Sequence, residues 1–295
     1  MKKIAFYIFV FAVFMNLKAQ DVLKPYEIFD KEGNLVSFET MADSLVKYDV
    51  VFFGELHNNT IAHWLQVELT SKLSSLKNNE IILGAEMFEK DNQLIVDEYL
   101  SGLIKEKTLI KDGKVWDNYK TDYAPLVNFA KDNSIPFIAT NVPRRYASLV
   151  SKKGLDSLEL VSKGARKKYM APLPIEVPYT NPSYKEMEVM MSGHGMHGAA
   201  KNFIDAQAIK DATMGHSIVT SLKKKNKDKL FLHFNGNFHS KNHEGTAWYV
   251  QRYNKNLKIG VIAFVSQKAV SNLEEENKGN NEFTIVCKNT MTNTF

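Results

Sequence analysis

Residues 49–57 read DVVFFGELH, an apolar run that ends in a glycine and then in two residues with reactive side chains. A short β-branched and aromatic run over 49–53, bounded by a turn residue, is typical of a buried strand. Gly54 lets the chain turn sharply, so that the side chains of Glu55 and His57 can lie over the edge of a sheet. The stretch therefore predicts a core strand that leads directly into a polar site.

Further runs of the same kind predict five more strands, at 80–85, 136–140, 230–235, 258–265 and 282–287. Helical patterns lie between them, over 60–76, where Trp64 is expected in the core, and over 203–222, and Pro125 is expected to begin a helix. Alternation of strands and helices is typical of a mostly parallel sheet. The predicted fold class is α/β, a mostly parallel central sheet flanked by helices, with a smaller helical subdomain and an irregular lid segment.

The first 19 residues are typical of a secretory signal peptide, with two early lysines, an apolar run at 4–15 and Ala19 at the end. The run is short for a membrane-spanning anchor, and an uncleaved anchor is the alternative. We expect cleavage near Ala19, export to the periplasm or cell envelope, and one domain over 20–295 with a helical and irregular insertion at about 91–225. The only cysteine, Cys287, lies far from this segment, so no lipid anchor is expected.

Charge and cysteine content narrow the choice of partners and chemistry. The formal net charge is +5, and removal of residues 1–19 leaves 35 basic and 33 acidic residues, a net charge of +2. A nucleic-acid partner is therefore not expected. The lysine-rich run at 223–229 is interpreted as a solvated helix end, or as a local attraction for anions. With Cys287 alone, and expected to be buried, no internal disulfide is possible.

Reactive side chains follow three of the predicted strands. Glu55 and His57 follow the first, Glu86 follows the second, and His239 follows the fourth. Because open parallel sheets bind ligands outside the carboxyl ends of their strands, these groups are expected to meet in one pocket. They could act as catalytic groups that activate a water, or His57, Glu86 and His239 could hold a divalent metal. A set of buried His-Glu pairs that only ties loops together is the alternative.

The other histidines are interpreted more conservatively. His233 lies inside a predicted strand and is expected to be a hydrogen-bonded core residue. His63 and His216, on predicted helices, are similar cases. His243 is a candidate for supporting the pocket from behind.

The least regular part of the sequence, 168–198, is rich in proline and then in methionine. Long irregular segments in compact domains are commonly lids or binding loops. It contains His194 and His197 in a glycine-rich stretch that could close over a flat apolar ligand or a soft metal, or could serve only as a hinge. It also contains Tyr179 and Tyr184, and a tyrosine phenolate is a recognised axial ligand of haem iron, although buried packing is commoner for tyrosine.

Several motifs occur together and in order between about Tyr48 and Val265. They are Gly54-Glu55-Leu56-His57, Gly84-Ala85-Glu86-Met87-Phe88, Ala124-Pro125-Leu126, Asn141-Val142-Pro143-Arg144, Ala206-Gln207-Ala208, Asp211-Ala212-Thr213-Met214 and Gly236-Asn237-Phe238-His239. This set resembles the ChaN family of iron-regulated haem-binding proteins. The family lies in a wider group with the Tiki and TraB proteins and the erythromycin esterases, which share paired Gly-x-x-His motifs and a glutamate.

The resemblance implies a surface or periplasmic protein that binds haem between two subunits through tyrosine, assisted by histidine. Tyr179, Tyr184, His194 and His197 are the predicted cofactor-binding residues, and a homodimer and the haem or iron uptake machinery of the envelope are the implied partners. Familiar members are lipoproteins, and this chain lacks the lipid-bearing cysteine. The alternatives are a metal-dependent hydrolase, a protease or esterase that uses the polar pocket, and an envelope scaffold with a vestigial pocket.

Overall fold

The structure, a computed structural model, describes residues 23–193, 200–223 and 226–294, so the predicted signal peptide lies outside the described residues. Within these ranges the strands form one eight-stranded sheet. They are β1 (Tyr26–Asp30), β2 (Leu35–Val36), β3 (Val50–Glu55), β4 (Ile81–Glu89), β5 (Phe137–Asn141), β6 (Leu230–Gly236), β7 (Ile259–Gln267) and β8 (Phe283–Lys288).

The helices lie between the strands along the chain and cover the sheet. They are α1 (Phe38–Leu45), α2 (Thr60–Leu76), α3 (Gln93–Leu100), α4 (Glu106–Asp112), α5 (Ala124–Asp132), α6 (Arg144–Lys153), α7 (Lys163–Tyr169), α8 (Pro182–Gly193), α9 (Ala200–Ser221) and α10 (Gly245–Tyr253). Within the described ranges, no helix combines the length and the apolar character needed to cross a membrane.

The strand order is β2-β1-β8-β7-β3-β6-β4-β5. The six strands from β8 to β5 pair in parallel, and β1 and β2 form an antiparallel hairpin at one edge. The predicted α/β class and all six predicted strands are confirmed. The register pairs Glu55 with Gly236 and Ala85 with Phe234, so β3, β4 and β6 end at the same edge of the sheet.

Both faces of the sheet are buried, as a parallel sheet requires. Along β3 the side chains alternate: Val51 and Phe53 pack with α2 on one face, and Phe52 packs with Ile218 and Val250 of α9 and α10 on the other. Full burial of one such aromatic side chain contributes about 1.5–3 kcal/mol. The run that predicted the strand is therefore also the centre of the core, and it holds the residues that follow it in place.

Helix α2 begins immediately after the first polar turn. The side chain of Asn59 accepts hydrogen bonds from the backbone N–H groups of Ile61 and Ala62, at 3.0 and 3.1 Å, and so caps the helix. A cap of this kind contributes about 1 kcal/mol and sets the direction of the chain beyond His57. The predicted burial of Trp64 was wrong, because its side chain is 48% exposed and packs edge-on against Tyr26.

The region 91–225 is not one insertion, because β5 lies within it and pairs with β4 in the sheet. Helix α5 carries Pro125 in its first turn, as predicted. Residues 170–181 lack regular structure apart from turns, and α8 follows as a regular helix. Two hydrogen bonds anchor the start of α8: the backbone N–H of Ser183 donates to Glu244 at 2.6 Å, and the hydroxyl of Tyr184 donates to Asp211 at 2.8 Å.

Candidate functional site

The four side chains predicted at the strand ends lie in one cavity of about 710 Å³. The floor is the sheet edge where β3, β4 and β6 end, and α8 and α9 form one wall. Glu55, His57, Glu86 and His239 all line it. The structure thus brings these four residues together, as the strand-end positions predicted.

The first turn, residues 54–57 at the end of β3, holds His57 through the buried carboxylate of Glu55. The Nδ1 of His57 lies 2.8 Å from Oε1 of Glu55, which also accepts a hydrogen bond from the Tyr123 hydroxyl at 2.8 Å. Gln66 donates to the other oxygen of Glu55. Since a carboxylate only accepts hydrogen bonds, Nδ1 is the donor. Both oxygens of Glu55 therefore accept hydrogen bonds, and Oε1 orients the imidazole ring.

The other nitrogen of His57 faces the cavity. A Cβ placed on Gly236 would lie 2.7 Å from Nε2 of His57, so the ring rests on the bare backbone of that glycine. Nε2 has no hydrogen-bond partner among the residues that the structure describes, and the His57 side chain is 39% exposed. This nitrogen is consequently available to a ligand in the cavity.

Further contacts hold the backbone and ring of His57. The backbone carbonyl of His57 lies 3.1 Å from Nε2 of His63 and accepts a hydrogen bond from Asn118 at 3.1 Å, and the Trp116 ring packs edge-on at 5.0 Å. Burial alone would lower the pKa of His57, but the hydrogen bond to Glu55 and the charge of Glu86 outweigh it, so the pKa is raised. His63, predicted to be a core residue, thus supports the site.

The second turn, residues 236–239 at the end of β6, places His239 between two carboxylates. Its Nε2 lies 3.0 Å from Oε1 of Glu86, and its Nδ1 lies 2.5 Å from Oδ1 of Asp211. Burial would lower the pKa of His239, but the carboxylates of Glu86 and Asp211 raise it to about 10. Burial would likewise raise the pKa of Glu86, and the positive charge of His239 instead lowers it far below its usual range. His239 is therefore an imidazolium with both nitrogens committed.

Asp211 is a member of the site that the strand-end argument missed. It lies fully buried on α9, and its oxygens accept hydrogen bonds from His239, from Thr246 at 2.8 Å and from Tyr184 at 2.8 Å. A helix contributes it, so reasoning from strand ends could not find it. Its presence in the motif Asp211-Ala212-Thr213-Met214 was the available signal.

Neither predicted tyrosine ligand lines the cavity. Tyr184 is fully buried with its hydroxyl on Asp211, and Tyr179 is 41% exposed with its hydroxyl on Asp205. The predicted role of both tyrosines as haem ligands does not fit this cavity, because each hydroxyl is used by an aspartate outside the lining. His194 and His197, the other two predicted cofactor-binding residues, lie outside the described residues.

The upper wall of the cavity is apolar, and two cations lie at its polar side. Met187, Met190 and Met191 extend from α8, and Phe203 from α9. The remaining lining includes Phe238 and Val265 and the partly buried cations Lys210 and Lys241. The methionines were part of the predicted lid, whereas the two lysines were not predicted.

The predicted divalent-metal site finds no support. Across 23–193, 200–223 and 226–294, no group of three or more His, Cys, Asp or Glu side chains is arranged to hold a metal ion. The reason is the hydrogen bonding: His239 uses both nitrogens, and Glu86 accepts from His239 and from the backbone N–H of Gly236 at 2.9 Å. Of the three predicted metal ligands, only His57 has a ring nitrogen, Nε2, without a partner among the described residues.

The remaining histidines have structural contacts. His233 is fully buried, with Thr140 at 2.8 Å and Asn235 at 2.9 Å, so its prediction as a hydrogen-bonded core residue is confirmed. Burial lowers the pKa of His233 to about 4, which keeps the ring neutral. His243 pairs with Glu282 at 3.1 Å and does not line the cavity.

The chain matches a known protein family. The family model described as haem-binding uptake, Tiki superfamily, ChaN matches residues 41–250. The chain belongs to this family. The predicted ChaN resemblance is thereby confirmed, and no curated protein matches the chain.

The chain is also similar to solved structures, and the first of them supports the fold. A structure of cofacial haem binding to ChaN of Campylobacter jejuni is 19% identical, with a TM-score of 0.67, and the match covers 89% of this chain and 97% of that one. The type III effector HopBA1 is 12% identical over 85% of this chain and 92% of its own, with a TM-score of 0.48. The erythromycin esterase EreC, as its H289N mutant, is 10% identical over 82% and 77%, with a TM-score of 0.46.

Proposed function

We propose that this chain is an extracytoplasmic haem-binding protein of a haem or iron uptake system, and that haem binds in the cavity at the ends of β3, β4 and β6. The observation that carries the proposal is the lining of this cavity in a member of the ChaN family. A thioether and aromatic wall faces a polar floor that offers one uncommitted imidazole nitrogen.

The residues present suit haem. A porphyrin is a flat apolar ring, and the methionines of α8 with Phe203 offer polarisable, adaptable surface for it. Haem carries two anionic propionates, and Lys210 and Lys241 supply positive charge in the same cavity. When bound, haem would supply an iron centre that needs at least one ligand from the protein.

A second copy of the chain would complete the site. Met190 is 52% exposed and Phe203 is 38% exposed, so part of the apolar lining of the cavity is open to solvent. Exposed apolar patches beside a pocket are typical of surfaces that a partner covers. Cofacial haem binding in the Campylobacter jejuni ChaN structure supports a face-to-face arrangement of two haem-loaded copies here.

A hemin titration tests the proposal. Purified protein should give a saturable shift of the Soret band, and the mass in solution should double when hemin is bound. Met190→Glu, which places a charge at the cavity mouth, should weaken binding at least about tenfold, since burial of an unpaired charge is costly. Leu160→Glu, a matched change at another exposed position, should leave binding unchanged. Absence of any saturable spectral change would end the proposal.

Export is tested separately. The envelope fraction of expressing cells should contain a protein whose N-terminal sequence begins near residue 20. A cytoplasmic protein that retains residues 1–19 would contradict the extracytoplasmic part of the proposal while leaving haem binding intact.

The Glu55-His57 pair also favours a second candidate, hydrolysis of an ester or peptide. A carboxylate that orients an imidazole whose other nitrogen faces a cavity is the arrangement of a general base. Wild type and His57→Ala are compared in a screen of ester and peptide substrates. A rate that falls about 100-fold or more in the variant supports this candidate, and equal rates remove it.

A further inference from the structure

We propose that a second cavity, separate from the one at the ends of β3, β4 and β6, binds the phosphate group of a small amphiphilic ligand. This basic cavity has a volume of about 610 Å³ and lies between α9 and the segment formed by α7 and residues 170–173. The two cavities share no lining residue. The proposal therefore goes beyond haem binding and does not depend on it.

The sequence beside the basic cavity concentrates the positive charge of the chain. Residues 144–168 contain eight lysines and arginines and two acidic residues, a net charge of +6, whereas the whole chain has a net charge of +5. This segment includes α6 and all but the last residue of α7. A local concentration of one sign of charge attracts ligands of the opposite sign.

Several side chains of the lining can donate hydrogen bonds to an anion. They are Lys163, Arg166 and Lys167 of α7 and His216 of α9. Neither lysine forms an ion pair or a side-chain hydrogen bond with any residue that the structure describes. The His216 ring packs edge-on against Tyr253 at 5.8 Å, and its nitrogens likewise have no partner among the described residues. Three of the four donors are therefore free to contact a ligand.

The fourth donor has a partner that lies largely in solvent. Arg166 forms an ion pair with Glu159, whose side chain is 65% exposed, whereas that of Arg166 is 21% exposed. Glu159 is also the one acidic residue in the lining of the basic cavity. An exposed pair of this kind contributes little to stability. The guanidinium can consequently turn to a ligand at small cost.

A further cation lies behind the lining. Lys90 is partly buried in the turn Lys90–Asn92, which packs against α7, and its ammonium group donates to the Ser217 hydroxyl at 3.1 Å. No carboxylate pairs with Lys90 among the residues that the structure describes. Burial, and after it the charges of Lys90 and Lys223, lower the pKa of His216. Positive potential therefore reaches the lining of the basic cavity.

The number of cations favours phosphate over a single carboxylate. A phosphate monoester carries about −1.5 to −2 charge at pH 7 and presents three strong acceptor oxygens. An arginine guanidinium donates to such a group through two parallel hydrogen bonds, and lysine binds it as a point charge. Arg166, Lys163 and Lys167 supply both kinds of donor in one cavity.

The other wall of the basic cavity is apolar. Met170, Ala171, Pro172 and Leu173 form it, and the first two are buried. Inorganic phosphate would leave this wall unused. A phosphate ester with a short hydrocarbon chain would cover it, and each buried methylene strengthens binding about fourfold. The ligand class that fits is therefore amphiphilic.

The anion contact is tested by calorimetric titration with butyl phosphate, inorganic phosphate and butanol. Butyl phosphate should bind saturably and at least about tenfold more tightly than inorganic phosphate, and butanol should not bind. Lys167→Gln and Arg166→Gln should each weaken binding of both phosphates about threefold or more. Lys107→Gln, at an exposed position of α4, is the matched control and should change neither.

Two results of these titrations would overturn the proposal. One is the absence of saturable binding of butyl phosphate to wild type. The other is an equal loss of affinity in Lys107→Gln and Lys167→Gln, which would show a diffuse effect of net charge instead of a site. Both substitutions lie on the exposed surface, so the fold is retained and each result can be interpreted.

The apolar contact is tested by Leu173→Ala. This variant should weaken binding of butyl phosphate about threefold or more and leave binding of inorganic phosphate unchanged. Leu160→Ala makes the same change at a leucine that is 79% exposed and outside the lining, and it should alter neither. An unchanged affinity of Leu173→Ala for butyl phosphate would contradict the apolar contact.

The position of the site and the source of the phosphate are tested last. Saturating hemin should leave the affinity for butyl phosphate unchanged, and displacement by hemin would overturn the proposal. Sedimentation with phosphatidylcholine vesicles that contain phosphatidic acid, lost in Lys167→Gln, would identify a lipid headgroup as the ligand. Binding of butyl phosphate without such sedimentation would identify a soluble ligand. Either source supports the site, and a protein that binds no hemin can still be tested in this way.

Discussion

The two Gly-x-x-His turns at the edge of the sheet share a sequence pattern but have opposite environments. In the first, His57 uses one nitrogen to contact Glu55 and presents the other to a cavity. In the second, His239 is 4% exposed and has a carboxylate at each nitrogen. The first turn leaves one ring nitrogen without a partner among the described residues, whereas in the second turn contacts with carboxylates hold both ring nitrogens.

The difference arises from the neighbours and not from the turns themselves. His239 faces α9, which contributes Asp211, and it also faces Glu86 from the adjacent strand β4. His57 has a buried carboxylate on one side only, and the opposite side is open above Gly236. Identical spacing in sequence therefore does not imply an identical chemical role.

The largest expected effect of replacing a histidine in one of the two turns is on stability. His239→Gln removes the positive charge between two buried carboxylates, and an uncompensated buried charge costs about 3–5 kcal/mol. The free energy of unfolding, from denaturant titration, should fall by that amount. His57→Gln, at the more exposed turn, should cost about 1 kcal/mol or less. Equal losses at the two turns would contradict the assignment of different roles.

A third histidine, His233, extends the comparison to the pH dependence of the free energy of unfolding. The pKa of His233 is about 4 in the folded protein and about 6.5 when unfolded. The contribution of neutral His233 to the free energy of unfolding is therefore fully present above pH 6.5. It is lost as the pH falls towards 4, by about 3 kcal/mol. The pKa of His239 is raised to about 10, so its contribution is present below pH 6.5 and is lost as the pH rises through 10.

Denaturant titrations of wild type and His233→Asn between pH 4 and 7 measure this contribution. The free energy of unfolding of wild type should fall more steeply with acid than that of the variant. The difference between the two proteins isolates His233 from the other groups that titrate in this range. Parallel curves would show that His233 is not held neutral.

A smaller effect is expected where the two turns touch. Gly236→Ala places a Cβ 2.7 Å from Nε2 of His57, so the ring must move. Overpacking of this kind costs about 1–3 kcal/mol. Hemin affinity should also fall about tenfold. Gly164→Ala, whose Cβ would meet nothing within 4 Å, is the control, and unchanged hemin binding by Gly236→Ala would show that His57 is not positioned by this glycine.

The smallest expected effect lies behind the first turn. Tyr123→Phe removes one hydrogen bond to Glu55 and should lower the free energy of unfolding by about 1 kcal/mol, with hemin binding retained. Tyr119 offers a matched control, because its buried hydroxyl has no partner among the described residues. Tyr119→Phe should therefore cost nothing, and a larger loss there than at Tyr123 would contradict this reading of the network.

The sheet and the convergence of its strand ends could be predicted from local pattern. Apolar runs such as 49–53 must be buried on both faces, and residues that follow parallel strands must meet at one edge. The hairpin of β1 and β2 was not predicted because β2 is only two residues long. Trp64 was wrongly predicted to be buried, because helical spacing in the sequence does not show where a neighbouring helix stops covering the surface.

The parts of the site that come from helices were harder to predict. Asp211 lies within α9, and only its packing against His239 gives it a role there. Tyr184 was a reasonable ligand candidate by residue type, yet its position near the start of α8 turns its hydroxyl to Asp211. Hydrogen bonds between residues 27 or 28 positions apart in the chain leave no periodic signal in the sequence.

A crystal structure of the hemin complex, with the iron located by its anomalous scattering, tests the proposed haem site most directly. The iron should lie in the cavity at the ends of β3, β4 and β6, with His239 still held between Glu86 and Asp211. An iron position outside this cavity would contradict it.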